Sequence, residues 1–203
     1  MINTSVFVVD DDPAVRDSLT LLLEQEEIRV EIFASAESFL AGYRPVPNSC
    51  AIVDIRMTGM DGMQLQAELS RRNIKLPLIF LTGHGDIPMS VRAVKAGAID
   101  FLTKPVTGAV LLASVQAAIL ESQRQGAQAE QNQTATALIH SLTEREREVM
   151  ALAADGLTNK EIARRLGISH RTVEIHKARI MHKTGAETLL DLARIAEASG
   201  LAT

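Results

Sequence analysis

Residues 6–12 read VFVVDDD, an apolar run that meets three aspartates without a break. A short run of β-branched and aromatic side chains bounded by polar residues reads as a buried strand. Outward from it the pattern repeats. Val30–Phe33, Ala51–Val53, Leu78–Leu81 and Ile99–Leu102 are further short apolar runs. Helical periodicity fills the gaps, at 13–25, 35–41, 62–72, 87–96 and 107–123. Pro13 after Asp12 is a first-turn signal, and Val15, Leu19 and Leu22 share one helical face. Leu112, Val115 and Ile119 mark the buried face of the last helix. Five strand–helix units in series predict a parallel, doubly wound sheet with right-handed crossovers. Such sheets carry their sites at the carboxyl ends of the strands.

Those ends are chemically distinctive. The first strand runs into Asp10, Asp11 and Asp12, the third into Asp54, the fourth into Thr82 and Gly83, and the fifth is followed by Lys104 and Pro105. At one rim, several carboxylates would share a small volume with one lysine. Carboxylates pack together only where cations neutralise them. A hard divalent ion with oxygen ligands suits the site, Mg2+ first. Asp54 could then accept a phosphoryl group, with Thr82 and Lys104 holding its oxygens. Solvated loop aspartates and a surface lysine are the plain alternative for any one of these positions. Four strand ends together weigh against it.

From Ser141 onward strand signals stop. Thr143–Glu146 and Thr158–Glu161 each fit a capping box, while Gly156 and Gly167 end helices. Ser169 caps a third helix running to about Lys183, and Thr188 starts a fourth ending near Ser199. The helices at Asn159–Leu166 and His170–Lys183, joined by Gly167, Ile168 and Ser169, have helix-turn-helix spacing. Ile162, Ala163, Leu166, Ile168, Val173 and Ile180 would form the interior. Lys160, Arg171, Lys177 and Arg179 would be free for phosphates or base edges. On the fourth helix Leu189, Leu192 and Ile195 would pack inward, leaving Leu190 and Arg194 exposed. A small helical bundle without a ligand remains open on spacing alone. His176 and His182 lack a cysteine nearby, so zinc is not expected.

The segment 124–137, RQGAQAEQNQTATA, has no apolar face and reads as a linker that extends the preceding helix by a turn or two. The expected organisation is residues 1–123, a linker at 124–140 that can itself be helical, and 141–203. The chain of 203 residues carries a net charge of −4, divided as −4 over 1–125, −1 over 126–140 and +1 over 141–203. That gives DNA binding only weak electrostatic support. Aromatics are 3% with no Trp, so the core is aliphatic. The lone Cys50 cannot form an internal disulfide, which points to a reducing, cytoplasmic setting. The longest apolar run, 76–81, is far short of the roughly 20 residues of a membrane span.

Residues 4–122 resemble the receiver domain of two-component response regulators, on VFVVDDD (6–12), VDIRMTGMDG (53–62), LTGHGD (81–86) and KAGAIDFLTKP (95–105). The stretch TGHGDIPMSVRAVKAGAIDFLTKP is most similar to the FixJ subgroup. The resemblance implies a CheY-like five-stranded α/β fold with Asp54 as phosphoacceptor. It makes Asp11 and Asp54 direct ligands of Mg2+ (or Mn2+), with Asp10 acting through water and Arg56 through its backbone carbonyl. Thr82 and Phe101 become a switch pair, Lys104 the phosphoryl partner, and Lys104–Pro105 a cis peptide. One residue departs from the pattern: Thr58 stands where the family usually has proline, which would loosen the loop and bear on how long the phosphate persists. Arg56 and His84 flank the phosphoryl position. Either could gate water, although a solvated loop histidine is the simpler reading of His84.

Residues 142–186 are similar to the LuxR-type helix-turn-helix nearly throughout. The resemblance makes Ser169–Lys183 the recognition helix of an all-α, four-helix domain. Glu174, Ile175 and Ala178 would face bases, and Lys160, Arg171 and Thr172 the backbone, with Lys177 and Arg179 nearby. The implied protein is a phosphorylation-dependent transcriptional regulator, expected to activate. Its partners would be a sensor histidine kinase, promoter DNA, a second copy on phosphorylation or on DNA, and RNA polymerase. It would not be an enzyme beyond accepting and losing its own phosphoryl group. Two other readings stand beside this one: a phosphohydrolase with Asp10 as nucleophile, and a DNA-binding protein whose receiver is degenerate.

Overall fold

A computed structural model describes residues 4–83 and 87–201. The opening apolar run forms β1 (Ser5–Val9), buried along its whole length. α1 (Pro13–Gln25) follows, capped by the Asp12 side chain, which accepts from the Ala14 N–H at 2.9 Å. Next come β2 (Arg29–Phe33), α2 (Ala36–Gly42), β3 (Ser49–Val53), α3 (Gly62–Arg71), β4 (Leu78–Thr82), α4 (Ile87–Lys95) and β5 (Asp100–Thr103). Every strand pairing is parallel, in the order β2-β1-β3-β4-β5. This is the doubly wound α/β sheet the sequence predicts.

Strand alternation sends side chains to two faces, and both are buried. Phe7, Val9, Ala51, Val53, Leu78 and Phe80 pack with Phe39, Leu65, Leu69 and Ala93 from α2, α3 and α4. Val6, Val8, Cys50, Ile52, Ile79 and Leu81 pack on the other face with Leu19 and Leu23 of α1. Leu111, Val115, Ala118 and Ile119, from the helix that follows β5, complete that face. Leu111 is fully buried whereas Leu112, read as an inward position, is only partly so. Both leucines pack on this face, and Leu111 is the deeper of the two. Cys50 lies under this face, and burial pushes its thiol up to about 12, which leaves it protonated and inert.

The helix after β5 runs on through the linker as α5, one continuous helix from Gly108 to His140. The segment read as a linker with a turn or two of helix is helical throughout. Its residues 126–134 are all exposed, so tertiary burial does not hold them. Gln, Ala and Glu are good helix formers, and Gln128 donates to Asn132 one turn later at 2.8 Å. A helix polar on every side gives no periodic signal to read. The chain divides into two compact units after Gly126, within this helix.

The second unit adds α6 (Glu144–Ala154), α7 (Asn159–Leu166), α8 (His170–Thr184) and α9 (Leu189–Ala198). Thr143 and Thr158 form the capping boxes expected of them, and Gly167 ends α7 in the left-handed region at φ 65°. Val149, Met150, Ile162, Val173, Ile180, Leu192 and Ala196 form its core. Leu189 does not join them. It is 52% exposed in the first turn of α9, and the buried stripe starts at Leu192 and continues to Ala196. Among the described residues no helix is long and apolar enough to cross a membrane.

Candidate functional site

Strand register explains why the acidic residues meet. Val9 pairs with Val53 across β1 and β3, so Asp10 and Asp54 leave the sheet side by side. The Asp54 N–H donates to the Val9 carbonyl at 2.8 Å and fixes that step. Thr82 pairs with Thr103 at the end of β4 and β5, and the Lys104 N–H donates to the Thr82 carbonyl at 2.8 Å. The Lys104 side chain then crosses the rim. Its ammonium donates to Asp10 Oδ2 at 2.7 Å and to Asp54 Oδ1 at 3.3 Å. The Lys104–Pro105 peptide is cis.

Asp10 and Asp54 are buried, Asp11 is exposed, and one carboxylate oxygen from each of the three lies within 4.8 Å of the others. Burial raises the Asp54 pKa; the Lys104 charge opposes this and the Asp10 charge reinforces it. Burial alone would lower Lys104, but its hydrogen bond to Asp10 and the two carboxylate charges outweigh that and raise it. One ammonium cannot balance three carboxylates. The donor set is all oxygen and fits a hard divalent cation. This is the chemistry the strand-end motif predicts.

The other predicted positions surround this cluster. The Arg56 N–H donates to Asp54 Oδ2 at 3.0 Å, so the loop after β3 wraps the phosphoacceptor candidate, and the Arg56 side chain is exposed. Thr82 is buried at the end of β4. Phe101 is half-buried on β5, its ring 6.5 Å from Phe80. His84 lies outside the described residues. Asp10 is a poor free nucleophile, because Oδ2 is engaged by Lys104 and Oδ1 accepts from the Asp12 N–H at 2.9 Å.

Two neighbours escaped the sequence reading. Arg16 of α1 donates to the Asp10 carbonyl at 2.6 Å, bringing a second cation to the rim. Glu37 of α2 accepts from the Met60 N–H at 2.8 Å and anchors the loop after β3. That hydrogen bond and the burial of Met57 hold a loop that lacks the family's proline.

The second unit presents the helix-turn-helix. Ser169 caps α8 by accepting from the Thr172 N–H at 3.0 Å. Val173, Ile180 and Thr184 face inward. The opposite face exposes Arg171, Glu174, Ile175, Ala178 and Arg179, and Lys160 is exposed on α7. Two predicted contacts sit differently. Lys177 is half-buried and donates to Asn159 Oδ1 at 2.9 Å, bracing α8 against α7. Burial lowers its pKa. Thr172 is half-buried, its hydroxyl 2.8 Å from that of Ser169. Spacing offers Lys177 and the resemblance offers Thr172 as contacts, but neither shows that neighbours already occupy their polar atoms.

Comparison with known proteins gives the same division. Residues 6–116 match the response regulator receiver domain, and residues 140–196 match the bacterial regulatory proteins of the luxR family. The chain is 43% identical to the transcriptional regulatory protein FixJ of Azorhizobium caulinodans, over 97% of this chain and 93% of that one. Among solved structures it resembles the response regulator StyR, with a TM-score of 0.77 and 43% identity, covering 96% of this chain and 98% of that one. Full-length FixJ from B. japonicum aligns with a TM-score of 0.60 and 37% identity over 99% of both chains.

Proposed function

The chain belongs to the FixJ-type response regulators, transcriptional regulators of two-component systems that join a receiver to a LuxR-type DNA-binding domain, and we propose that phosphorylation of Asp54 governs its engagement of promoter DNA. A receiver implies a histidine kinase as donor. A carboxylate oxygen of Asp54 attacks the phosphorus of the kinase's phosphohistidine. The new P–O bond forms as the P–N bond breaks, and the imidazole nitrogen keeps the electron pair and takes up a proton. Lys104, already 3.3 Å from Asp54 Oδ1, offsets the charge of the arriving phosphoryl oxygens. The observation that carries this reading is the lysine bridging two of three clustered carboxylates at the sheet's carboxyl rim.

Asp10, Asp11 and Asp54, with the Arg56 carbonyl, would hold Mg2+ (or Mn2+). Bound there, the cation neutralises charge on the phosphoryl oxygens and on the carboxylates. Thr82 would bind the new phosphoryl group by its hydroxyl, and Phe101 would move with it. The face they border carries Val91 and Val94, 46% and 52% exposed on α4, and suits a second copy once phosphorylated. Hydrolysis of the aspartyl phosphate by water would reset the switch.

On DNA, the exposed face of α8 would enter the major groove. Glu174, Ile175 and Ala178 would meet base edges, with Arg171, Arg179 and Lys160 at phosphates. Leu190, 61% exposed on α9, suits a contact between two copies on paired half-sites. Activation through RNA polymerase and a cytoplasmic setting complete the reading. Acetyl phosphate with Mg2+ labels the wild type at Asp54, and Asp54→Asn remains unlabelled in intact-mass spectra. Equal labelling of the variant would remove Asp54 from this role.

A further inference from the structure

Thr58 makes two contacts that the family's usual proline has no donors to make. Its N–H donates to Asp11 Oδ2 at 3.0 Å, and its hydroxyl donates to the same oxygen at 3.2 Å. Asp11 needs such a partner more than its neighbours do. Asp10 and Asp54 are buried and share Lys104, whereas Asp11 is exposed and receives no lysine or arginine hydrogen bond among the described residues. The donors are themselves fixed. Two residues on, the Met60 N–H is bound by Glu37 Oε1 at 2.8 Å, and between them Gly59 turns at φ 85° against that carboxylate.

We propose that Thr58 is a positioning residue that orders the Asp11 carboxylate for the divalent cation. The inference rests on the receiver reading above. An exposed aspartate loses rotamer freedom when it ligates a metal. A carboxylate already held by two donors on Oδ2 has lost most of that freedom beforehand and still offers Oδ1. Pre-ordering of one side chain of this kind corresponds to about a threefold to tenfold change in affinity. The loop therefore replaces the rigidity of a proline ring with a hydrogen-bonded clamp on a metal ligand.

The test is a Mg2+ titration of the full chain, followed by amide NMR, for wild type, Thr58→Val and Thr58→Ser. Valine keeps the shape and the backbone N–H but removes the hydroxyl; serine restores the hydroxyl. The Mg2+ Kd rises about twofold to threefold in Thr58→Val, which keeps the N–H donor, and returns to near the wild-type value in Thr58→Ser. In acetyl phosphate labelling, Thr58→Val needs correspondingly more Mg2+ for half-maximal rate, while the rate at saturating Mg2+ stays within twofold. Thr58→Val binding Mg2+ as tightly as wild type, or more tightly, overturns the role. So does Thr58→Ser behaving like valine, because packing and not the hydroxyl would then matter. If the wild type itself gives no Mg2+-dependent shifts, the receiver reading fails instead, and the two failures are distinct.

Discussion

Asp54 is held on three sides by atoms that the chain supplies from different elements: the Val9 carbonyl, the Arg56 N–H and the Lys104 ammonium. A fourth neighbour acts by what it lacks. Gly62 opens α3, and a Cβ there would come within 2.5 Å of the Asp54 carbonyl oxygen and 3.1 Å of Ile55 Cα. Both are backbone atoms, which cannot swing aside. Gly62→Ala should cost about 1–3 kcal/mol in urea unfolding and reduce labelling of Asp54; wild-type stability and labelling would contradict so close an approach. The acidic cluster and Lys104 were legible because each directly follows or ends an apolar run, where a parallel sheet must gather them. The hydrogen bonds of Thr58 to Asp11 were not. The departure from proline was visible, but its partner lies 47 residues away, and no local pattern links them.

Helices α6, α7 and α8 were readable to within a residue or two, because caps and apolar stripes are local signals. What fastens α8 in place was not readable. Glu146 is buried at the start of α6, accepts from the Thr143 N–H at 2.8 Å, and accepts from the Lys183 ammonium at 2.7 Å near the far end of α8. One carboxylate thus completes a cap and ties α8 to α6. The Lys183 hydrogen bond lowers the Glu146 pKa from 4.5 to about 2, against the opposing effect of burial. A depressed carboxylate contributes its full stability above its unfolded pKa and loses it as pH falls through the folded one. The window is therefore pH 4.5 down to about 2. Over it the melting temperature of the wild type should fall more steeply than that of Glu146→Gln, which has no charge to lose. Parallel curves would show that the ion pair contributes nothing. Helix α5 marks the other limit: residues 126–134 are exposed, and a helix that buries no face leaves no stripe in the sequence.

At the scale of the whole molecule, two chemistries lie on one chain. The acidic rim of the first unit belongs to the part with net charge −4, and the helix-turn-helix to the part with net charge +1. So mild a positive balance makes general attraction to DNA weak, which leaves room for a switch to matter. Five parallel strands were implied by the alternation of strand and helix and the four C-terminal helices by their caps, whereas the strand order was implied only by the CheY-like resemblance. On the proposed mechanism, a phosphoryl group on Asp54 raises specific DNA binding. Purified protein should be incubated with fragmented genomic DNA from its own source, with and without acetyl phosphate and Mg2+, and the retained fragments sequenced. Wild type is predicted to enrich a defined set of fragments that grows at least severalfold stronger on phosphorylation, while Asp54→Asn shows no such gain. Equal enrichment by both proteins under both conditions would contradict the account.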